Sequence, residues 1–344
     1  MIYRTVSLRN LRELYAIGER EFAGASLEEA DLRGLVLDQA DFWAADFSEA
    51  DLSYGSMVSA NLREACLVSA KLDQTDLSQA DLREADLAQT SLQQTKLTGA
   101  LYNRQTQFPA DFYPEPAGMW CIEPGAALVN ADLQHHDLSG SDLSGADLTR
   151  ARLVRANLFG VTLRAANLTE TIASHCDLSN TDLCGATLML AELTGADLSC
   201  ADMRKTNLIG ADLRGTSLAR TNLQGAFYSD GTRFPTGFEP SQILHRLAPG
   251  TSLWGVDLSG AKLSGIDLSG ANLAGANLMY ADLWGARLVG ADLSDANLMG
   301  TNLLGADLTG AILDEADLST AMIELPTGDQ AKSLSPKDFP SLPD

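Results

Sequence analysis

The stretch Ala271-Asn272-Leu273-Ala274-Gly275-Ala276-Asn277-Leu278-Met279-Tyr280-Ala281-Asp282-Leu283-Trp284-Gly285 repeats itself every five residues. The period runs unbroken over 253–323, with leucine at Leu253, Leu258, Leu263 and every fifth position to Leu318, and Ile323 closing the series. Two residues before each sits a small or modest side chain, usually Ala, with Thr251, Val256, Ile266 and Thr301 as variants. Self-similarity at a fixed period outranks local propensity. An α-helix turns residues five apart through about 140° net, which smears the leucines around its axis. A flat strand sends alternate residues to opposite faces, so successive leucines would part company. A short extended segment followed by a turn, repeated, keeps Leu and the residue two before it inside and the other three outside. The chain must coil.

The unit A-D/N-L-x-x resembles that of the pentapeptide-repeat family. The resemblance implies an all-β solenoid, a right-handed quadrilateral β-helix with four repeats per coil, in which the central Leu fills the bore and Ala makes room for it. The residues themselves show no catalytic or cofactor motif, so we expect no cofactor and no enzymatic chemistry.

Composition agrees with a repeat. Of 344 residues, 45% are hydrophobic and only 6% aromatic, so the core uses aliphatic side chains of nearly one size. The net charge of −22 disfavours a direct nucleic-acid ligand, which needs clustered Lys and Arg. Cys66, Cys121, Cys176, Cys184 and Cys200 form neither a C-x-x-C pair nor an even framework, and the N-terminus opens no apolar run of signal length, which leads us to expect a reduced, cytoplasmic chain. No window approaches the ~18 consecutive apolar residues of a membrane span.

Outward from the decisive stretch, the pattern divides the chain. Residues 1–20 lie outside the repeat, with Leu8, Leu11, Leu14, Tyr15 and Ile17 at helical spacings and Gly18 as a stop; we expect an N-terminal helical cap over the first coil, or else a partner-binding helix. Tract one spans 21–100, with Phe22, Phe42, Phe47 and Met57 at central positions and Leu35 at an Ala position. Tract two spans 128–226; there His136 and Thr171 stand at inward Ala-type positions and Ala173 at a central one, so local distortion is expected. Tract three spans 251–325, and the tail 326–344, rich in proline, is expected to be mobile.

Two insertions, 101–127 and 227–250, separate the tracts. Tyr102 to Pro114 has a near copy in Tyr228 to Pro240, each containing Phe-Pro, and a Pro-Gly precedes the resumption at Leu128 and Leu253. Proline cannot donate to a ladder, so we expect both to leave the coil as surface loops and return as spacers. A catalytic lid would need a reactive group shared by both copies, and none is present. The four histidines, 135, 136, 175 and 245, form no H-E-x-x-H, and no phosphate loop occurs.

The recurrent Asp before Leu reads either as an acidic array imitating DNA or as a corner residue bonding nearby backbone. Acids exceed bases by 15 to 5 in tract one, 11 to 8 in 128–226, and 10 to 2 in tract three. If a coil takes twenty residues, i and i+20 stack, pairing Asp51 with Lys71, Asp76 with Lys96, Asp132 with Arg152, Lys262 with Asp282, and Asp267 with Arg287 and Asp307. The same stacking gathers Met279, Tyr280, Trp284, Val289, Met299 and Leu304 on adjacent outward faces, where most other repeats hold Ser, Thr, Gln or Arg. A contiguous apolar set marks a contact surface, for an unidentified protein partner or for self-association through tract three, unless the tail or a neighbouring loop covers it. Met189, Leu190 and Ile209 form a smaller second set. The expected function is a non-enzymatic acidic scaffold for protein-protein interaction. The alternative is a DNA-mimicking modulator of DNA gyrase or another type II topoisomerase, since some similar proteins resemble duplex DNA in width and charge.

Overall fold

The computed structural model describes residues 8–240 and 244–323; the expected mobile tail at 326–344 lies outside the described residues. The chain forms two compact units, Met1–Asn157 and Leu158–Asp344. Their boundary falls inside tract two, and each unit holds one insertion with repeats on both sides of it.

Within each unit the residue before Leu forms a parallel bridge with its counterpart twenty residues on, as in Asp31↔Asp51 and Asp282↔Asn302. One coil is therefore four repeats. Bore residues are sealed: Leu258 is 1% exposed, and Leu278 and Leu298 are 0%. In tract one Phe22, Phe42 and Phe47 take the Leu role, Phe22 stacking on Phe42 at 5.4 Å and Phe42 meeting Phe47 edge to face at 5.1 Å between centroids.

An account of the backbone amides explains why the unit reads as it does. In residues 292–296 the Asp292 amide donates to Ala271 O in the coil before, and the Leu293 and Asp295 amides donate to Ile312 O and Asp314 O in the coil after. The Ala296 amide closes a turn onto Leu293 O, 3.1 Å. That leaves Ser294, whose amide donates to the Asp292 side chain at 3.0 Å. All five amides are satisfied, so the coil wastes no donor. Asp or Asn stands before Leu because the fifth amide points outward, where no neighbouring coil reaches it. The second turn residue has positive φ, as a type II turn requires. Glycine supplies it at many corners, and twenty-eight described non-glycine residues adopt it with φ between 53° and 66°.

Helix α1, Leu8–Ala16, precedes the first coil. Leu11 is fully buried, and Leu14 and Tyr15 pack on the tract-one core. Gly18 at φ 96° ends it, and the Tyr15 hydroxyl donates to Asp38 O.

The insertions differ from the surface loops expected. Leu101–Tyr102 (β1) pairs in parallel with Trp120–Cys121 (β2), and Gln107 bridges Asp86. Phe227–Tyr228 (β3) pairs likewise with His245–Arg246 (β4), and Arg233 bridges Asp212. Each insertion therefore continues the ladder, with its Phe-Pro segment folded over the coil. Tyr102, Phe108 and Phe112 pack ring to ring at 5.7 and 5.1 Å, and Tyr228, Phe234 and Phe238 at 5.3 and 4.9 Å. Proline is tolerated because the ladder bonds fall on the residues before it. The coil around Thr171 shows no distortion: Thr171 is fully buried and Ile172 bridges Glu192 in register.

Candidate protein-contact surface

The tract-three surface is built by the turns just described. Met279 and Met299 follow the stacked bore residues Leu278 and Leu298, and each amide is held by Asn277 or Asn297 Oδ1, at 3.3 and 3.1 Å. Both side chains are half-buried. Tyr280 occupies the next corner at φ 59°, 62% exposed, and its ring lies across Gly300, where an added Cβ would come within 2.4 Å of it. Trp284 is 59% exposed with its amide on Asp282 Oδ1, and Leu304 is half-buried one coil on. Val289 is half-buried on the following side. Met322, in register with Asn302 and 50% exposed, extends the Trp284–Leu304 side. The sequence carried a signal for Met322: it stands where most repeats have Asp or Asn. Trp254, 71% exposed, belongs to another side of the coil.

The smaller set divides. Leu190 is 52% exposed at a corner and Met189 is half-buried. Ile209 does not join them as a free outward residue, because it packs against the tract-three core together with Ile266.

Electrostatics around the coil serve the turns. Asp142, Asp197, Asp267, Asp292, Asp307 and Asp317 are held below the usual carboxylate value, chiefly by the hydroxyl and amide of the Ser or Thr two residues on. Among the expected columns, Asp51–Lys71, Asp76–Lys96 and Asp267–Arg287 approach to 3.9, 3.1 and 3.3 Å. Asp132 and Arg152 stack in register, but Asp132 accepts from Gln134; Lys262 and Asp282 stack, with Asp282 accepting from Ser264 and Asn302. Arginine two residues after Asp folds back onto it, as at Asp202–Arg204 and Asp212–Arg214, a pairing the column argument does not contain.

No group of three or more His, Cys, Asp or Glu among the described residues could hold a metal. Burial pushes the Cys176 thiol up to about 12, and burial with the neighbouring Glu123 pushes Cys121 up to about 11, which removes the thiolate that nucleophilic chemistry requires. No described helix is long and apolar enough to cross a membrane.

The pentapeptide-repeat family model, found in eight copies, matches within 25–64, 65–101, 126–164, 163–199, 188–225, 257–295 and 276–314, which leaves most of the first insertion and all of the second unmatched. The chain belongs to the pentapeptide-repeat family. Its members form right-handed quadrilateral β-helices and are in general structural or interaction proteins without enzymatic activity. Among solved structures, alr5209, a pentapeptide repeat protein from Nostoc Pcc 7120, is 34% identical over 34% of this chain and 97% of its own, with a TM-score of 0.34. HetL, a pentapeptide repeat protein involved in heterocyst differentiation regulation from the cyanobacterium Nostoc sp. strain PCC 7120, is 27% identical over 95% of this chain and 98% of its own, TM-score 0.20. QnrB1, a plasmid-mediated fluoroquinolone resistance protein, is 18% identical over 61% of this chain and 92% of its own, TM-score 0.21. No curated protein matches.

Proposed function

We propose that this protein is a non-enzymatic acidic scaffold that binds a protein partner, or a second copy of itself, through the tract-three surface. The observation that carries the reading is the contiguity of Tyr280 and Trp284, 62% and 59% exposed, with half-buried Met279, Met299 and Leu304 on neighbouring coils. Exposed aromatic rings flanked by Met on a rigid backbone lose little entropy on docking and bury much apolar area. The five cysteines are free, which suits a reducing, cytoplasmic setting.

The test replaces Trp284 and Met299 by Ser and compares sedimentation velocity, over a range of concentrations, with the parent. Parent association that is lost in a variant of unchanged thermal midpoint supports the reading. Unchanged association with a lowered midpoint refutes it.

The acidity of tract three, 10 acids against 2 bases over 251–325, favours a second reading as a DNA-mimicking ligand of a type II topoisomerase. Against it, the carboxylates before Leu are engaged by the amides of their own turns. Inhibition of gyrase supercoiling at low micromolar protein would reverse the ranking.

A further inference from the structure

Both insertions are followed by a joint, and the two joints are built on equivalent positions from different chemistry. Residues before the insertions correspond with an offset of 126 (Tyr102 to Tyr228), and residues after them with an offset of 125 (Leu128 to Leu253). At the first joint Arg83, 2% exposed, is clamped to the Asp81 carboxylate and reaches across to Asp137 O and to Ser141 Oγ, 2.7 Å. The equivalents of Asp81, Arg83, Asp137 and Ser141 are Asn207, Ile209, Lys262 and Ile266. Asn207 Nδ2 donates to Lys262 O at 2.8 Å, repeating the reach to a backbone carbonyl, while Ile209 and Ile266 pack on the tract-three core. Lys205 adds an exposed ion pair with Asp257.

The first joint has one more contact. His136 stands in the inward slot that Ala fills in most repeats, and its Nε2 meets Gln79 O of tract one at 3.2 Å. A carbonyl oxygen only accepts, so Nε2 carries the proton and Nδ1 is left with its lone pair. Nδ1 is buried without a partner. Around the ring, tract one presents Arg63 and Asp81, with Arg83 on Asp81, and tract two presents His135 and Asp137. The two guanidiniums balance the two carboxylates, and Asp81 is already committed to Arg83. A proton on Nδ1 would therefore carry charge into a buried position, at a desolvation cost that Asp81 and the Gln79, Gln134 and Leu133 carbonyls offset only in part.

We infer that the joint between tracts one and two is an acid-sensitive hinge in which protonation of His136 loosens the first coil of tract two from the wall of tract one, while the joint between tracts two and three is indifferent to the same change. Burial holds the imidazole below its ordinary value, with Asp81 opposing. The sign follows: the neutral ring stabilises the closed joint above the ordinary His value of about 6.5, and that contribution is lost as pH falls through the lower folded value.

Hydrogen exchange of the full chain, corrected for intrinsic rates, is the test. Between pH 7.5 and 5.5 protection of the peptide spanning 133–141 should fall by up to about tenfold, the change that one pH unit below the ordinary His value of about 6.5 allows, and protection of 255–266 should stay within about twofold. His136→Gln, which keeps an amide donor for Gln79 O and cannot titrate, should abolish the pH step. A step that persists in His136→Gln, or a flat parent profile, overturns the inference. Nitrogen-15 histidine spectra of the parent give a second measure that needs no variant. A proton found on Nδ1 of His136 at pH 7.5, or titration at or above about 6.5, overturns it as well.

Discussion

If the residue before Leu is present to satisfy the fifth amide of its repeat, then removing Asp292 and replacing it by Asn must give different answers. Asp292 Oδ1 accepts from the Ser294 amide at 3.0 Å and from Ser294 Oγ at 2.6 Å. Asp292→Ala removes both bonds and strands an amide that no coil can reach. A hydrogen bond to a charged group contributes about 1.5–3 kcal/mol when shielded, and because Asp292 is half-exposed, water recovers part of this, leaving about 1 kcal/mol. Asn keeps the acceptor, as Asn297 does for the Met299 amide at 3.1 Å, so Asp292→Asn should cost under about 0.5 kcal/mol. Urea titration reads the totals, and hydrogen exchange at Ser294 reads the local event: protection lost in Ala, kept in Asn. The carboxyl of Asp292 is held below its usual value, so its stabilisation is present above about 4 and disappears as pH falls through the lower folded value. The difference between parent and Asp292→Asn should therefore vanish in acid. Equal losses for Ala and Asn would refute the amide account, because charge and not the acceptor would then be the reason for Asp.

The packing of the coil sets three further outcomes. Gly260→Ala and Gly300→Ala both place a Cβ at φ +67°, but only the second meets a neighbour, the Tyr280 ring at 2.4 Å; Gly300→Ala should cost about 1 kcal/mol more in urea unfolding, and Tyr280→Ser should remove the excess. Leu278→Ala, at a fully buried position, should cost about 2–5 kcal/mol, whereas Leu278→Met should cost under about 1.5, by the same assay. Arg83→Ile alone strands the Asp81 carboxylate and should destabilise by about 3 kcal/mol, yet the triple change Asp81→Asn, Arg83→Ile, Ser141→Ile copies the second joint and should restore most of the loss; no recovery in thermal midpoint would refute the equivalence of the joints.

Much of the coil was legible because a strict period leaves one solution for the leucines, and the twenty-residue stack follows once four edges are allowed per turn. What the period could not reveal lies where it stops. Tyr102 and Tyr228 advertise a duplicated element, but the sequence does not show that Leu101 pairs with Trp120, since that register is set by segments of irregular spacing. His136 was visible as an intruder in an Ala slot. Its partner, Gln79 O, is a backbone atom 57 residues away, and no side-chain pattern encodes it. Ile209 has the appearance of surface in a column diagram because the diagram assumes that only the coils above and below are neighbours; tract three covers it from the side.

The two kinds of irregularity in this chain therefore have opposite meanings. An apolar side chain in an outward slot, such as Trp284, leaves the coil unchanged, since all five amides of its repeat are still satisfied, and it adds surface that only another molecule or segment would bury. Threonine fits an inward slot, as at Thr171 and Thr301, both fully buried, but a side chain too large for it, such as His136 or Ile266 in the first coil after each insertion, is seated between neighbouring tracts. Outward apolar departures thus mark candidate docking surfaces, and the oversized inward residues His136 and Ile266 mark the joints. The same logic assigns Ile312, 46% exposed and stacked through Asp292 and Asn272 on Ser252, to the outward class on the side of tract three that carries Trp254.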